Sequence, residues 1–209
     1  MVHRHAPAGL RRGHRGQRDV VEEGAHGGAQ SRSPVRQQDR LIHRRTLVCV
    51  IREATEQDIP AILALVQELA DYEKAPEEAV GTVDAYRAVL FPEHGTPTAW
   101  AHVAEVDGAV VGIAVWFLTF STWTGRNGLW LEDLYVSPAH RGSGLGRQLM
   151  ATLARVCTER GYPRMEWTVL NWNTPAIEVY RHIGATPQEE WTTQRLTGDA
   201  LATLGAAAR

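Results

Sequence analysis

Only two cysteines occur in 209 residues, Cys49 and Cys157, and they stand far apart in segments that read as a strand and a helix. This excludes a disulfide-stapled scaffold, and both read as small core residues in a reducing compartment. Long hydrophobic runs are missing too. No segment approaches the length that crosses a bilayer, and no apolar stretch of a secretory leader follows Met1, so the expectation is a soluble cytoplasmic domain with no membrane partner. Residues 1 to 45 lack aromatic side chains and contain no apolar run longer than two residues, while holding ten Arg against four Asp or Glu and five of the nine His. Such a segment buries too little surface to offset its chain entropy. It lacks the Ser content and amphipathic period of a transit peptide, its His have no Cys neighbours for a metal site, and a basic tract without a motif is weak support for nucleic-acid binding. Residues 1–46 are therefore expected to be a disordered basic extension or sequence upstream of the functional start. No metal and no nucleic-acid partner is expected.

The remainder is of a different kind. Residues 46 to 209 hold twelve basic and twenty acidic side chains, and the hydrophobic share of the whole chain, 44%, suffices for a core. VCVIRE reads as a strand. Thr55 ahead of Glu56, Gln57 and Asp58 supplies a helix cap, after which Ile59, Ile62, Leu63, Val66 and Leu69 recur at helical spacing to about Tyr72. A short helix in VDAYRAVLF follows, ended by Pro92. TAWAHVAEV and AVVGIAVWFLTF flank Asp107-Gly108, the signature of a tight hairpin. GLWLEDLYV is a further strand, LGRQLMATLARVCTERG a helix closed by Gly161, MEWTVL a strand, NTPAIEVYRHIG a helix capped by Asn173 or Thr174, and EEWTTQRL a last strand. A strand, glycine loop, helix and strand in succession make a parallel crossover within a mostly antiparallel sheet, a mixed α/β domain rather than a doubly wound one.

The loop is HRGSGLG, residues 140 to 146. It has neither the Lys-Ser/Thr of a mononucleotide loop nor the spacing of a dinucleotide fingerprint. Gly142, Gly144 and Gly146 let the backbone approach a ligand closely at a helix N-terminus with unpaired N–H groups, and Arg141 and Arg147 add charge; a pyrophosphate handled without metal suits this better than a triphosphate. Alone, the loop reads equally as a flexible turn. Two other stretches bear on it. In LEDLYV, Glu132 and Asp133 point to opposite faces of a regular strand, so only one faces the site, as a base or an ammonium ligand, or else as a solvated carboxylate. Tyr180 falls two helical turns after Asn173, either as a core residue or as a proton donor.

WLEDLYVSPAHRGSGLGRQLM followed by NWNTPAIEVYRHIGA resembles the GCN5-related N-acetyltransferase (GNAT) superfamily, and within it the spermidine/spermine (diamine) acetyltransferase branch, to which ELADYE and FSTWTGR add support. The resemblance covers about residues 48 to 198, giving an N-acetyltransferase domain at 47–198 and a C-terminal tail at 199–209. It implies a mostly antiparallel mixed sheet with helices on its faces and acetyl-CoA as co-substrate. Arg141, Gly142, Ser143, Gly144, Leu145, Gly146 and Arg147 would take the pyrophosphate. Leu134, Tyr135 and Val136 would pair with the pantetheine arm, and Asn173 would help fix it. Tyr180 would protonate the departing thiolate, and Glu132 would draw a proton from the substrate ammonium. Glu73, Glu132 and Asp133, with Trp123 as a flat wall, would select a diamine or a lysine-like amine. Members of the branch are often dimers. A protein, peptide or antibiotic amine is the alternative acceptor, and a CoA-binding module without catalysis the alternative class.

Overall fold

The computed structural model describes residues 48–208; the basic extension expected at 1–46 lies outside them. Five strands, β1 (Cys49–Glu53), β2 (Ala99–Val106), β3 (Ala109–Ser121), β4 (Arg126–Val136) and β5 (Met165–Glu166), form one sheet in that spatial order. The first three pairings are antiparallel and β4 with β5 is parallel. Helices α1 (Ile59–Glu73), α2 (Val83–Leu90), α3 (Leu145–Arg160), α4 (Thr174–His182) and α5 (Gly198–Ala206) complete the described fold.

Local chemistry explains most of these elements. Asp107 and Gly108 both take positive φ, 50° and 85°, which closes the β2–β3 hairpin with the twist the flanking strands need. Asp58 receives the Thr55 backbone N–H at 2.7 Å, and both its oxygens are held by the Arg52 guanidinium at 2.7 and 2.9 Å. The Arg52 fork keeps that carboxyl well below the usual range, at about 2, and Arg52 also reaches Glu105, which pins the start of α1 to β1 and β2.

The sheet buries both faces. On one, α3 sets Leu145, Leu149, Met150, Leu153 and Val156 against Ala114, Trp116, Leu129 and Leu131. On the other, Ile62 and Leu65 of α1 and Leu90 of α2 cover Val103, Ile113 and Tyr135. His102 is a satisfied core histidine, since its Nδ1 accepts the Trp116 indole N–H at 3.2 Å.

Three expectations fail. Cys49, expected in the core, is exposed on the edge strand β1, whereas Cys157 is buried. MEWTVL pairs only through Met165 and Glu166, opposite Leu129 and Trp130. The ladder stops there because β4 carries a bulge directly afterwards: Val115 lies opposite Asp133 and Trp116 opposite Leu131, leaving Glu132 with no partner. EEWTTQRL is not a strand; with β5 reduced to two residues it has no neighbouring edge to extend, and Trp191 is exposed. The C-terminal tail contains α5, consistent with its Ala- and Leu-rich composition.

Candidate functional site

The glycine loop joins the end of β4 to α3. Gly142 and Gly144 have φ of 76° and 86°, the left-handed region open to glycine, so the loop needs glycine for its path. Among the described residues, none of the backbone N–H groups from 142 to 147 donates to a backbone carbonyl; the first that does is Gln148, to Gly144 O at 3.0 Å. A side chain at Gly142 or Gly144 would meet no atom within 4 Å, so backbone path and not crowding calls for glycine there. Leu145 is buried and contributes only its N–H, whereas Arg147 is exposed. Ser143 Oγ donates to His140 O and so tightens the loop. Consecutive free donors at the start of a four-turn helix suit a diphosphate without requiring a metal.

Beyond Trp130 the edge of β4 is unpaired. Ser137 N–H points to β3, where it donates to Val111 O at 2.9 Å. By alternation the polar groups of Leu134 and Val136 point the other way, to the free edge, and those of Tyr135 point to β3. The Tyr135 side chain is buried between α1 and the sheet, so of the three residues expected to meet a pantetheine arm, Leu134 presents both backbone groups, Val136 its N–H, since its carbonyl accepts Arg141 Nε at 2.9 Å, and Tyr135 neither.

The bulge overturns the expectation that Glu132 and Asp133 point to opposite faces. A bulge sets two consecutive residues against one partner and turns both to one side. Glu132 Oε2 accepts the indole N–H of Trp130 at 2.9 Å, which places it on the side away from α3, with Asp133. Burial, and then the charges of Glu132 and Glu73, push the Asp133 carboxyl up to about 6. Glu73, in the last turn of α1, is itself raised by burial. Tyr86 of α2 is raised by burial and then by the Asp133 charge, which puts its ring in the same neighbourhood. Gly81 makes room for that ring, since a Cβ there would lie 2.7 Å from Tyr86 Cε2.

Tyr180 sits across the β4 edge. Its ring meets Trp167 edge-on at 5.0 Å and packs against the α3-side core, which Leu134 and Val136 also border, and burial raises its phenol. Asn173 is the α4 cap, accepting Ala176 N–H at 3.4 Å. Trp123 is not gathered here. It lies in the β3–β4 turn, 92% exposed, and the length of β4 from that turn to Glu132 is about 20 Å at roughly 3.3 Å per residue. Tyr72 and Tyr86 are the residues that sequence reasoning passed over; an aromatic in the last turn of α1, beside Glu73, was the available signal for the first.

Among the described residues no group of His, Cys, Asp and Glu is placed to hold a metal ion, and no helix is long and apolar enough to cross a membrane. The model of the acetyltransferase (GNAT) family matches residues 63–185. The chain is 38% identical over 166 residues to a thialysine N-epsilon-acetyltransferase of Bos taurus, covering 74% of this chain and 96% of the relative. It is 36% identical over 166 residues to the protein of the same name from Sus scrofa, with the same coverage. Among solved structures, an integron cassette protein from the mobile metagenome of V. cholerae superposes with a TM-score of 0.65 at 25% identity, over 76% of this chain and 98% of that one. A family match across more than half the chain, and relatives above a third identical along nearly their whole length, show that the chain belongs to the acetyltransferase (GNAT) family and is an acetyl-CoA-dependent N-acetyltransferase.

Proposed function

We propose that the protein acetylates the terminal amine of a lysine-like amino acid or a small diamine, with Glu132 and Asp133 on one side of the β4 edge and Tyr180 on the other. The observation that carries this reading is the bulge at Glu132, which sets Glu132 beside Asp133, itself within reach of the Glu73 charge, and leaves the Leu134 backbone and the Val136 N–H at the unpaired edge. The loop N–H groups of residues 142 to 147 with Arg141 and Arg147 hold the diphosphate, and Asn173 steadies the arm. Bound acetyl-CoA supplies the thioester.

An ammonium must lose its proton before its nitrogen has a lone pair to attack with. Asp133, at about 6, is mostly ionised at neutral pH yet more basic than an ordinary carboxylate, which suits proton acceptance, and Glu132 and Glu73 draw a cation to it. The Leu134 N–H faces the edge where negative charge grows on a carbonyl oxygen. The Tyr180 phenol, kept protonated by burial, holds the proton that a departing thiolate needs. The three carboxylates suit an acceptor with a second charged group, and relatives named for thialysine support the same class.

The test is release of free CoA from acetyl-CoA with thialysine, lysine, ornithine, putrescine, spermidine and peptide amines. Turnover confined to peptide amines sinks the small-amine assignment. The reading extends to a cytoplasmic homodimer, supported by the apolar hairpin tip at Phe120 and Trp123, 62% and 92% exposed. Sedimentation as a monomer at micromolar concentration removes the dimer.

A further inference from the structure

Tyr72, in the last turn of α1, is the side chain on which three segments of the cleft converge. Its hydroxyl donates to Asn173 Oδ1 at 3.1 Å, 101 residues along the chain, and its ring lies 5.6 Å from that of Trp172. The Arg141 guanidinium stands 5.1 Å over the Tyr72 ring and 5.1 Å over that of Tyr135, while Arg141 Nε donates to Val136 O at 2.9 Å. Two aromatic faces and one carbonyl therefore fix the Arg141 fork. Its terminal nitrogens make no ion pair among the described residues. Asn173 is fixed likewise, since its Oδ1 takes both the Tyr72 hydroxyl and the Ala176 N–H of the α4 cap, which leaves its amide NH₂ pointing elsewhere.

Charged and amide side chains on loops lose rotamer freedom when they engage a ligand, and a protein that has already restricted them binds more tightly. We propose that Tyr72 is a positioning residue for the cofactor: from α1 it sets the Arg141 fork and the Asn173 amide before acetyl-CoA arrives, without contacting it. The inference rests on the assignment of Arg141 and Asn173 to the acetyl-CoA site. The two contacts separate by chemistry. Phenylalanine at position 72 keeps the ring beneath Arg141 and loses the donation to Asn173, whereas leucine loses both.

The experiment titrates acetyl-CoA calorimetrically into the full chain, the Tyr72→Phe, Tyr72→Leu and Asn173→Ala variants, and the Tyr72→Phe/Asn173→Ala double variant, with steady-state kinetics on the amine that the full chain acetylates best. Tyr72→Phe is expected to weaken acetyl-CoA binding roughly fivefold, the worth of one hydrogen bond, and Tyr72→Leu roughly twentyfold. In both, KM for acetyl-CoA rises with kcat within about twofold, because substrate and transition state lose the same interaction. In the Asn173→Ala background, Tyr72→Phe is expected to change binding by less than about twofold, as its effect passes through Asn173. Full-strength loss in that background, or wild-type affinity in Tyr72→Phe, overturns the proposal even if Tyr72→Leu fails to fold. Failure of the unaltered chain to bind acetyl-CoA overturns the cofactor site itself, and this proposal with it.

Discussion

Asp133→Asn separates what the site needs from what the fold prefers. The carboxyl titrates at about 6 in place of an ordinary 3.8, because it is largely desolvated and faces Glu132 on its own strand and Glu73 from α1. A group whose pKa is raised on folding favours the native state while protonated, and that advantage disappears as pH climbs through the folded value. Below about pH 4 the aspartic acid is neutral in both states; above about pH 7 the folded protein carries an ionised side chain it would rather not hold. The rise to about 6 corresponds to about 3 kcal/mol as an upper limit, and partial exposure reduces this to roughly 1–2 kcal/mol. The asparagine variant lacks this penalty. Its urea midpoint should exceed that of the wild type at pH 8 by the equivalent of roughly 1–2 kcal/mol, and the two midpoints should converge toward pH 4.5. Activity should move the other way. Wild-type kcat/KM should show an acid limb near pH 6 as Asp133 loses its proton, and in the variant the limb should vanish with a fall of on the order of a hundredfold. A variant that is less stable than wild type at pH 8, or equally active, would refute the assignment of Asp133 as a strained proton acceptor.

Tyr180→Phe removes the phenol on the opposite side of the β4 edge and keeps the packing against Trp167; turnover should fall by about a hundredfold with the acetyl-CoA dissociation constant within twofold, and calorimetry with unchanged kcat would remove Tyr180 from its role. Gly144→Ala adds a methyl group that meets nothing within 4 Å, so its cost is confined to the backbone at φ 86°. That cost is about 1–2 kcal/mol of stability or an equivalent relaxation of the loop, and acetyl-CoA binding should weaken roughly tenfold. Wild-type affinity in this variant would show that the free N–H groups at 142 to 147 are not the anchor.

Elements governed by local chemistry could be read from the sequence directly. Asp107-Gly108, the heptad-like spacing of Leu145, Leu149 and Val156, and the Asn173 cap each depend on residues within a few positions, and each element stands where the pattern puts it, whereas the Thr55 cap opens a short 3-10 turn at Glu56–Asp58 and α1 itself begins at Ile59. What escaped depends on register. Whether β4 is regular is decided by its pairing with Val115 and Trp116, and no spacing within LEDLYV reveals the extra residue. The short β5 and the unpaired 189–196 follow from the same event, because a strand pattern predicts a willingness to pair and not the presence of an edge. Tyr72 escaped for a related reason, since its partners Arg141 and Asn173 are brought to it only by the parallel crossover.

Alternation along β4 shows how much rests on that one insertion. Leu129 and Leu131 face α3; a regular strand would continue with Asp133 and Tyr135 on that side, burying a carboxylate in the α3 core and sending Leu134 and Val136 toward α1. With Glu132 taken out of the count, Leu131, Leu134 and Val136 keep to the α3 side, while Asp133 and Tyr135 keep to the other. The inserted carboxylate then sits beside Asp133 and adds to the pKa rise that burial begins, and the same distortion halts the ladder with β5 at Trp130, baring the Leu134 backbone and the Val136 N–H. Acidic pair and open edge are thus not two features that happen to adjoin but two consequences of one bulge, which is why proton acceptor and acyl cleft occupy the same stretch of strand.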